Sequence, residues 1–228
     1  MIKKGFTLAE VLITLVIIGI IASMTIPSVI NAQHDKEILA RLKKSYSILS
    51  QTLMTSQAFN GSYTGWGLQD NSNNSSKHTY DNYISPYIKS MKRCINEAGC
   101  WTSERTKAFD GRTTATGAFD SGMGQNNVTF VLADGSIVSM DIYGNDAESV
   151  FGVTENLVYP TLTFAVDING DKGPNQLGQD VFMFILTTNG LVPAGIDNSS
   201  ANCFKGSTDT YAGYDCAAKV LKTNSVQY

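Results

Sequence analysis

Residues 1–27 read MIKKGFTLAEVLITLVIIGIIASMTIP, and this stretch decides how the rest of the chain is organised. Sixteen uncharged residues run from Val11 to Ile26. Between Phe6 and Ile30 the one charged residue is Glu10. About 20 apolar residues in a helix cross a bilayer, so the segment is long enough to span. Lys3 and Lys4 would then stay on the cytoplasmic side. The rival reading is a cleavable secretory signal ending at Ile30-Asn31-Ala32. Glu10 interrupts the apolar region where such a signal carries no charge. The helical pattern also continues past Ala32.

That continuation is QHDKEILARLKKSYSILSQTLMTSQAF, residues 33–59. Leu39, Leu42, Tyr46, Leu49 and Leu53 follow spacings of 3, 4, 3 and 4, which is one apolar stripe on a helix. Asp35, Lys36, Glu37, Arg41, Lys43 and Lys44 fill the other faces as a solvated surface. Asn60-Gly61 is a stop signal. The expectation is one helix from Phe6 to Phe59, about 80 Å long, with residues 6–30 as the membrane part and 31–59 as the amphipathic part. Pro27 removes a backbone hydrogen bond within it and should kink it; Gly19 would loosen it further.

A carboxylate deep in a membrane helix costs several kcal/mol, whereas near the end it reaches the interface. The plain reading of Glu10 is therefore an interfacial residue one turn from the lysines. The sharper reading needs cleavage after Gly5. The new amine on Phe6 would then lie four residues before Glu10 and pair strongly with it in an apolar medium. If the amine belongs to a neighbouring copy, the pair sets the register between packed helices.

Residues 3–15, KKGFTLAEVLITL, resemble the N-terminal signal of type IV prepilins and type II secretion pseudopilins. The resemblance implies that a membrane peptidase cuts after Gly5 and methylates Phe6, leaving residues 1–5 as a leader. It implies that Glu10 is needed for assembly and that Pro27 is the family's helix-breaking proline. It also implies partners: other copies or related pilins in a filament, the prepilin peptidase and methylase, and the inner-membrane assembly machinery. The precursor would be a single-pass bacterial inner-membrane protein, and the product a periplasmic or extracellular filament.

The other 169 residues, 60–228, would form a globular domain. Residues 60–80 are rich in Asn, Ser and Gly and read as a surface loop. Residues 82–93 read as a short helix or turn around Ser85-Pro86. The runs 127–133 and 136–142 flank Asp134-Gly135, a strong hairpin signal. Residues 157–168 read as a strand with Pro160 near its start. Residues 181–187, VFMFILT, read as a short central strand followed by a turn at Asn189-Gly190. The expected fold is α+β and pilin-like, with roughly four antiparallel strands packed on the soluble half of the helix. Trp101 reads as core.

Four cysteines, Cys94, Cys100, Cys203 and Cys216, allow three pairings, of which local pairing is the simplest. Export favours disulfides, each worth about 2–3 kcal/mol in the chain-entropy model; the bland alternative is four free thiols. No CxxC pair exists, which weakens zinc. In the resembling family a C-terminal cysteine loop follows the sheet, and Cys203 with Cys216 would be that loop.

Residues 167–180, DINGDKGPNQLGQD, alternate oxygen-bearing side chains at Asp167, Asn169 and Asp171, with Asp180 further on. This pattern in a Gly-rich loop suits calcium, although the spacing is not that of an EF-hand. The bland reading is a long turn built from Asp, Asn and Gly. Major type II secretion pseudopilins carry calcium in this part of the chain, but their spacing is not reproduced here.

A net charge of −3 argues against a general nucleic-acid surface. Two histidines, His34 and His78, read as solvated residues, and no nucleophile, P-loop or zinc-protease motif is present. The expectation is a filament subunit with no enzymatic activity. The alternative is a monomeric envelope protein, anchored or secreted, that binds a ligand through its sheet domain.

Overall fold

The computed structural model of the chain describes residues 5, 7–69, 75–95, 97, 99–101, 106–112, 128–144, 147–197, 202–204, 206–209 and 211–226. The chain divides into two compact units, Met1–Glu37 and Ile38–Tyr228. Helix α1, Leu8–Asn60, contributes to both and is continuous through Pro27. It ends where expected, at Asn60, because Gly61 takes a positive φ of 81°, a conformation that only glycine adopts cheaply.

From Leu8 to Ile30 α1 carries large apolar side chains on every side and they are exposed, Leu8 by 79% and Val11 by 43%. In the second unit the stripe turns inward. Leu42, Leu49 and Leu53 are buried, and Leu39 and Tyr46 pack at the margin. Ile38, Ser45, Thr52 and Ser56 complete the buried line. The contact face is thus centred one position away from the leucines, over small hydroxyl residues. Thr52 Oγ1 hydrogen-bonds to Ile48 O at 2.8 Å, which is how such a residue tolerates burial on a helix.

The sheet has six antiparallel strands in sequence order, not four: β1 Ser90–Ile95, β2 Val128–Leu132, β3 Ile137–Tyr143, β4 Thr161–Asp167, β5 Val181–Thr187 and β6 Gly190–Pro193. The β2–β3 hairpin turns at Asp134-Gly135 as read. Asp134 Oδ1 accepts from Ser136 N and Oγ, and Gly135 has φ 87°. The expected strand 157–168 is shorter, because Pro160 precedes its start at Thr161. β5 lies between β4 and β6, one place in from the edge rather than at the centre.

Both faces of the sheet are covered. One face, with Phe130, Phe164 and Phe184, packs with the α1 stripe and with Val220 of α4 (Cys216–Thr223). The other, with Ala165, Met183 and Ile185, packs with Trp101, Tyr214 and α3 (Ala147–Phe151). All seven residues of β4 and of β5 are consequently buried. Trp101 is core, as expected, with Nε1 donating to Thr106 Oγ1 at 3.0 Å.

Residues 60–80 are not a simple surface loop. Tyr63, Trp66 and Tyr80 are fully buried, and Trp66 stacks on Tyr83 with centroids 4.4 Å apart. A 3-10 turn, Tyr63–Gly65, and α2, Ser75–Thr79, carry these anchors into the core. After α2 come a π-helical turn, Tyr80–Ile84, and a 3-10 turn, Ser85–Tyr87, at the expected Ser85-Pro86 turn. Residues 70–74 lie outside the described residues, as does Asn127 at the start of the expected strand.

Candidate functional site

The first candidate site is the start of α1. Phe6 lies outside the described residues; Gly5 is exposed. Thr7 precedes the helix, and Glu10 Oε2 accepts from Thr7 N at 2.8 Å and from Thr7 Oγ1 at 2.7 Å. Thr7 Oγ1 accepts from Glu10 N at 3.3 Å in return. This is a reciprocal capping box, which satisfies two of the amides that every helix start leaves without intrahelical partners. The Thr-x-x-Glu spacing at Thr7 and Glu10 is the sequence signature of such a box. Glu10 therefore has a local partner within its own chain. From Leu8 to Ile30, large apolar side chains are exposed on every face. The segment is long and apolar enough to cross a membrane.

The second candidate is the loop between β4 and β5. Asp167 ends β4 and Asp180 directly precedes β5, so the ladder brings them together. Both are buried, at 0% and 1% exposure. Asp167 Oδ1 accepts from Asn169 N at 3.1 Å and Gly170 N at 2.9 Å. Asp180 accepts from Asn175 N at 2.8 Å, Gln176 N at 2.6 Å and Asn169 Nδ2 at 3.2 Å. Asp167 Oδ2 and Asn169 Oδ1 are buried without a hydrogen-bond partner. Burial, with the Asp180 carboxylate nearby, pushes the Asp167 carboxyl up to about 8; burial also raises Asp180. The fourth expected ligand, Asp171, is exposed on the outer part of the loop. Of the expected calcium set, Asp167, Asn169 and Asp180 are drawn into the base of the loop, while Asp171 is exposed, with its charge still acting on Asp167.

The loop is held by what surrounds it. Gly170 has φ 67°, and a Cβ there would lie 2.7 Å from Gly135 O in the β2–β3 turn. Arg41 Nη1 donates to Ile168 O at 3.4 Å, and Lys44 pairs with Asp134 at 2.9 Å. On its other side Lys107 N donates to Asn175 O at 2.8 Å and Gln176 Nε2 to Phe109 O at 2.7 Å. A Cβ at Gly178 would meet the Phe109 ring at 2.7 Å and Cys216 Sγ at 2.9 Å.

The cysteines pair locally, Cys94 with Cys100 and Cys203 with Cys216. Cys203, Asp215 and Cys216 bring ligand atoms within 4.8 Å of one another. Both sulfurs are committed to the disulfide, so the group is not a zinc site. Burial raises the Asp215 carboxyl, whose Oδ2 accepts from Asn202 N at 2.9 Å. His34 and His78 are exposed; His78 makes an edge contact with Tyr83.

Two family comparisons match the chain. A family of unknown function, DUF6613, matches residues 28–228, and the chain belongs to that family. The prokaryotic N-terminal methylation motif matches residues 1–26. That motif makes the chain a type IV prepilin or pseudopilin-like protein, a substrate of the prepilin peptidase with a membrane-anchored precursor. No curated protein and no solved structure matches the chain.

Proposed function

We propose that this member of the family is a structural subunit of a type IV pilus or a type II secretion pseudopilus. The peptidase cuts after Gly5 and methylates Phe6. The apolar part of α1 then leaves the bilayer and packs with the same segment of other subunits. Glu10 pairs with the Phe6 amine of a neighbour and sets the register of each entry. The folded unit from Ile38 onward supplies the outer surface, and no catalytic step is assigned to it.

The observation that carries this reading is the contrast along one helix. Its first part is exposed and carries large apolar side chains on all faces, and the methylation motif matches residues 1–26, the span that holds Gly5, Phe6 and Glu10. A helix apolar on every side is covered by lipid or by other helices. The same segment can use both in turn.

The test is sedimentation of surface material sheared from native cells. Wild-type protein pellets in the high-molecular-weight fraction, and Gly5→Val, which blocks the cut, leaves the chain in the inner membrane. Wild-type protein found only as a membrane-bound or soluble monomer would favour the anchored ligand-binding alternative.

A further inference from the structure

We propose that the β1 edge of the folded unit docks a second copy of this chain, on the acidic surface that residues 148–159 and 196–197 form beside β5 and β6. The contact rests on the reading of the chain as an assembling subunit and names the faces that meet.

Charge is divided between the two sides of the sheet. At the β1 edge, Lys77, Lys89, Lys92 and Arg93 stand against Asp81 and Glu97. All four cations are exposed. Asp81 is engaged twice, by Lys77 at 2.7 Å and by Arg93 at 3.3 Å. Lys89 and Lys92 form no ion pair among the described residues. Between Arg112 and Lys172, in contrast, the sequence holds no Lys or Arg. Glu148 and Glu155 belong to that stretch, and Asp197 joins them. Asp197 Oδ2 accepts from Thr154 N at 2.8 Å and from Glu155 N at 3.4 Å. All three acids are exposed, and none forms an ion pair among the described residues. Leu157 bridges to Thr187, and Thr188 N donates to Asn156 O at 2.7 Å, which fixes this surface beside β5 and β6.

Neither side is open to strand addition. β1 pairs with β2 through an irregular register between Ser90 and Lys92, and it exposes Met91, Lys92 and Arg93. Bulges and charged side chains of this kind keep an edge from pairing through its backbone. β6 ends in Pro193, which has no amide hydrogen to donate. Its Leu191 carbonyl accepts from the Tyr46 hydroxyl at 3.0 Å. Two copies therefore meet through side chains, and their sheets do not fuse.

The side chains suit such a contact. Each surface holds large apolar groups among its charges: Met91, 72% exposed, on one, and Ile196 and Tyr159, 49% and 46% exposed, on the other. An apolar centre with a polar rim is the ordinary anatomy of a protein interface. Opposite potentials select the partner surface, and like charges oppose contact of either surface with its own kind. β1 and β6 lie five strand spacings apart, about 24 Å, so the two surfaces do not meet within one copy. They are different faces of the same chain, so the contact is heterologous: each copy offers its β1 edge to one neighbour and its acidic side to another. Such a contact repeats along an assembly.

The experiment is carbodiimide coupling on filaments sheared from native cells, followed by peptide mapping. The reagent joins a lysine amine to a carboxylate as an amide, takes up the water that is lost and leaves no spacer. The expected product joins Lys89 or Lys92 of one copy to Glu148, Glu155 or Asp197 of another. Lys89→Glu with Lys92→Glu, or Glu148→Lys with Glu155→Lys, removes the link and lowers the sheared yield about tenfold or more. Tm is unchanged in both, since all four residues are exposed. Combining the four substitutions restores yield and link, with the amide running the other way. Wild-type filaments without the link, full yield in either reversed pair, or no rescue in the combination overturns the proposal and leaves the filament reading standing. A wild type that yields no filament overturns that reading instead. The same coupling on native inner membranes then decides the contact by itself: the link supports it, and its absence overturns it.

Discussion

The two parts of α1 use the same residue types to opposite ends. Ile13, in the first unit, is 60% exposed; Leu42, in the second, is 0% exposed. Both are aliphatic residues in regular helix. The difference lies in their neighbours along the sequence. From Val11 to Ile26 no position is charged, so no polar face is set apart from an apolar one. Around Leu42 lysines and an arginine mark the outside, and the leucines and small hydroxyls mark the inside. Patterning, more than hydrophobicity, tells a helix to pack on its own domain. A helix without that pattern is covered by something other than its own chain.

The largest expected effect tests the first part. Glu10→Gln preserves the capping box, since Gln serves in that position as well as Glu, but it removes the charge. The account predicts normal cleavage after Gly5 and loss of the filament from the sheared fraction. Wild-type filament yield in Glu10→Gln would reduce Glu10 to its capping role. Glu10→Ala loses the cap too, at about 1 kcal/mol of helix stability.

The second part is broken from the core. Phe184, fully buried and stacked on Tyr46 with centroids 5.3 Å apart, joins the helix to the sheet. Phe184→Ala should cost about 3–5 kcal/mol, read as a lower Tm of the folded unit. Ile17→Ala, in the exposed part, should leave that Tm unchanged. Equal effects would erase the contrast between the two regions.

Smaller effects sharpen the picture. In the chain-entropy model, Cys203→Ser with Cys216→Ser should cost about 3 kcal/mol, and Cys94→Ser with Cys100→Ser about 2.4 kcal/mol. The order follows from separations of 13 and 6 residues; denaturant titration of the two double variants checks it. Least of all, Lys44→Ala should cost less than about 1 kcal/mol, because the lysine of this ion pair is 57% exposed. The same titration measures it.

How much could be read from the sequence varied with the kind of signal. The β2–β3 hairpin and β5 were legible, because Asp-Gly and an unbroken apolar run are local signals. β1 was not. It is an edge strand whose Met91, Lys92 and Arg93 face solvent, so its composition resembles a loop. β6 has four residues and ends in Pro193, too few to show alternation. The second layer on the sheet was hidden for another reason. β4 is buried on both faces, yet Thr161, Thr163 and Ala165 alternate with Leu162, Phe164 and Val166, the pattern of a strand with one open face. In residues 60–80 the turn-forming majority masked Tyr63, Trp66 and Tyr80, three side chains that decide where the segment lies. At the candidate cation site, the alternation of Asp167 and Asn169 was legible. That Asp171 is exposed while the other three are drawn inward was not, since it depends on how the loop folds back through Gly170.

The central claim is that the apolar part of α1 is the mature N-terminus of an assembling subunit. The most direct measurement is the intact mass of the protein isolated from its native cells. The account predicts the mass of residues 6–228 with both disulfides formed and one added methyl group. A chain that still begins at Met1, or one cut near Ala32, would contradict it.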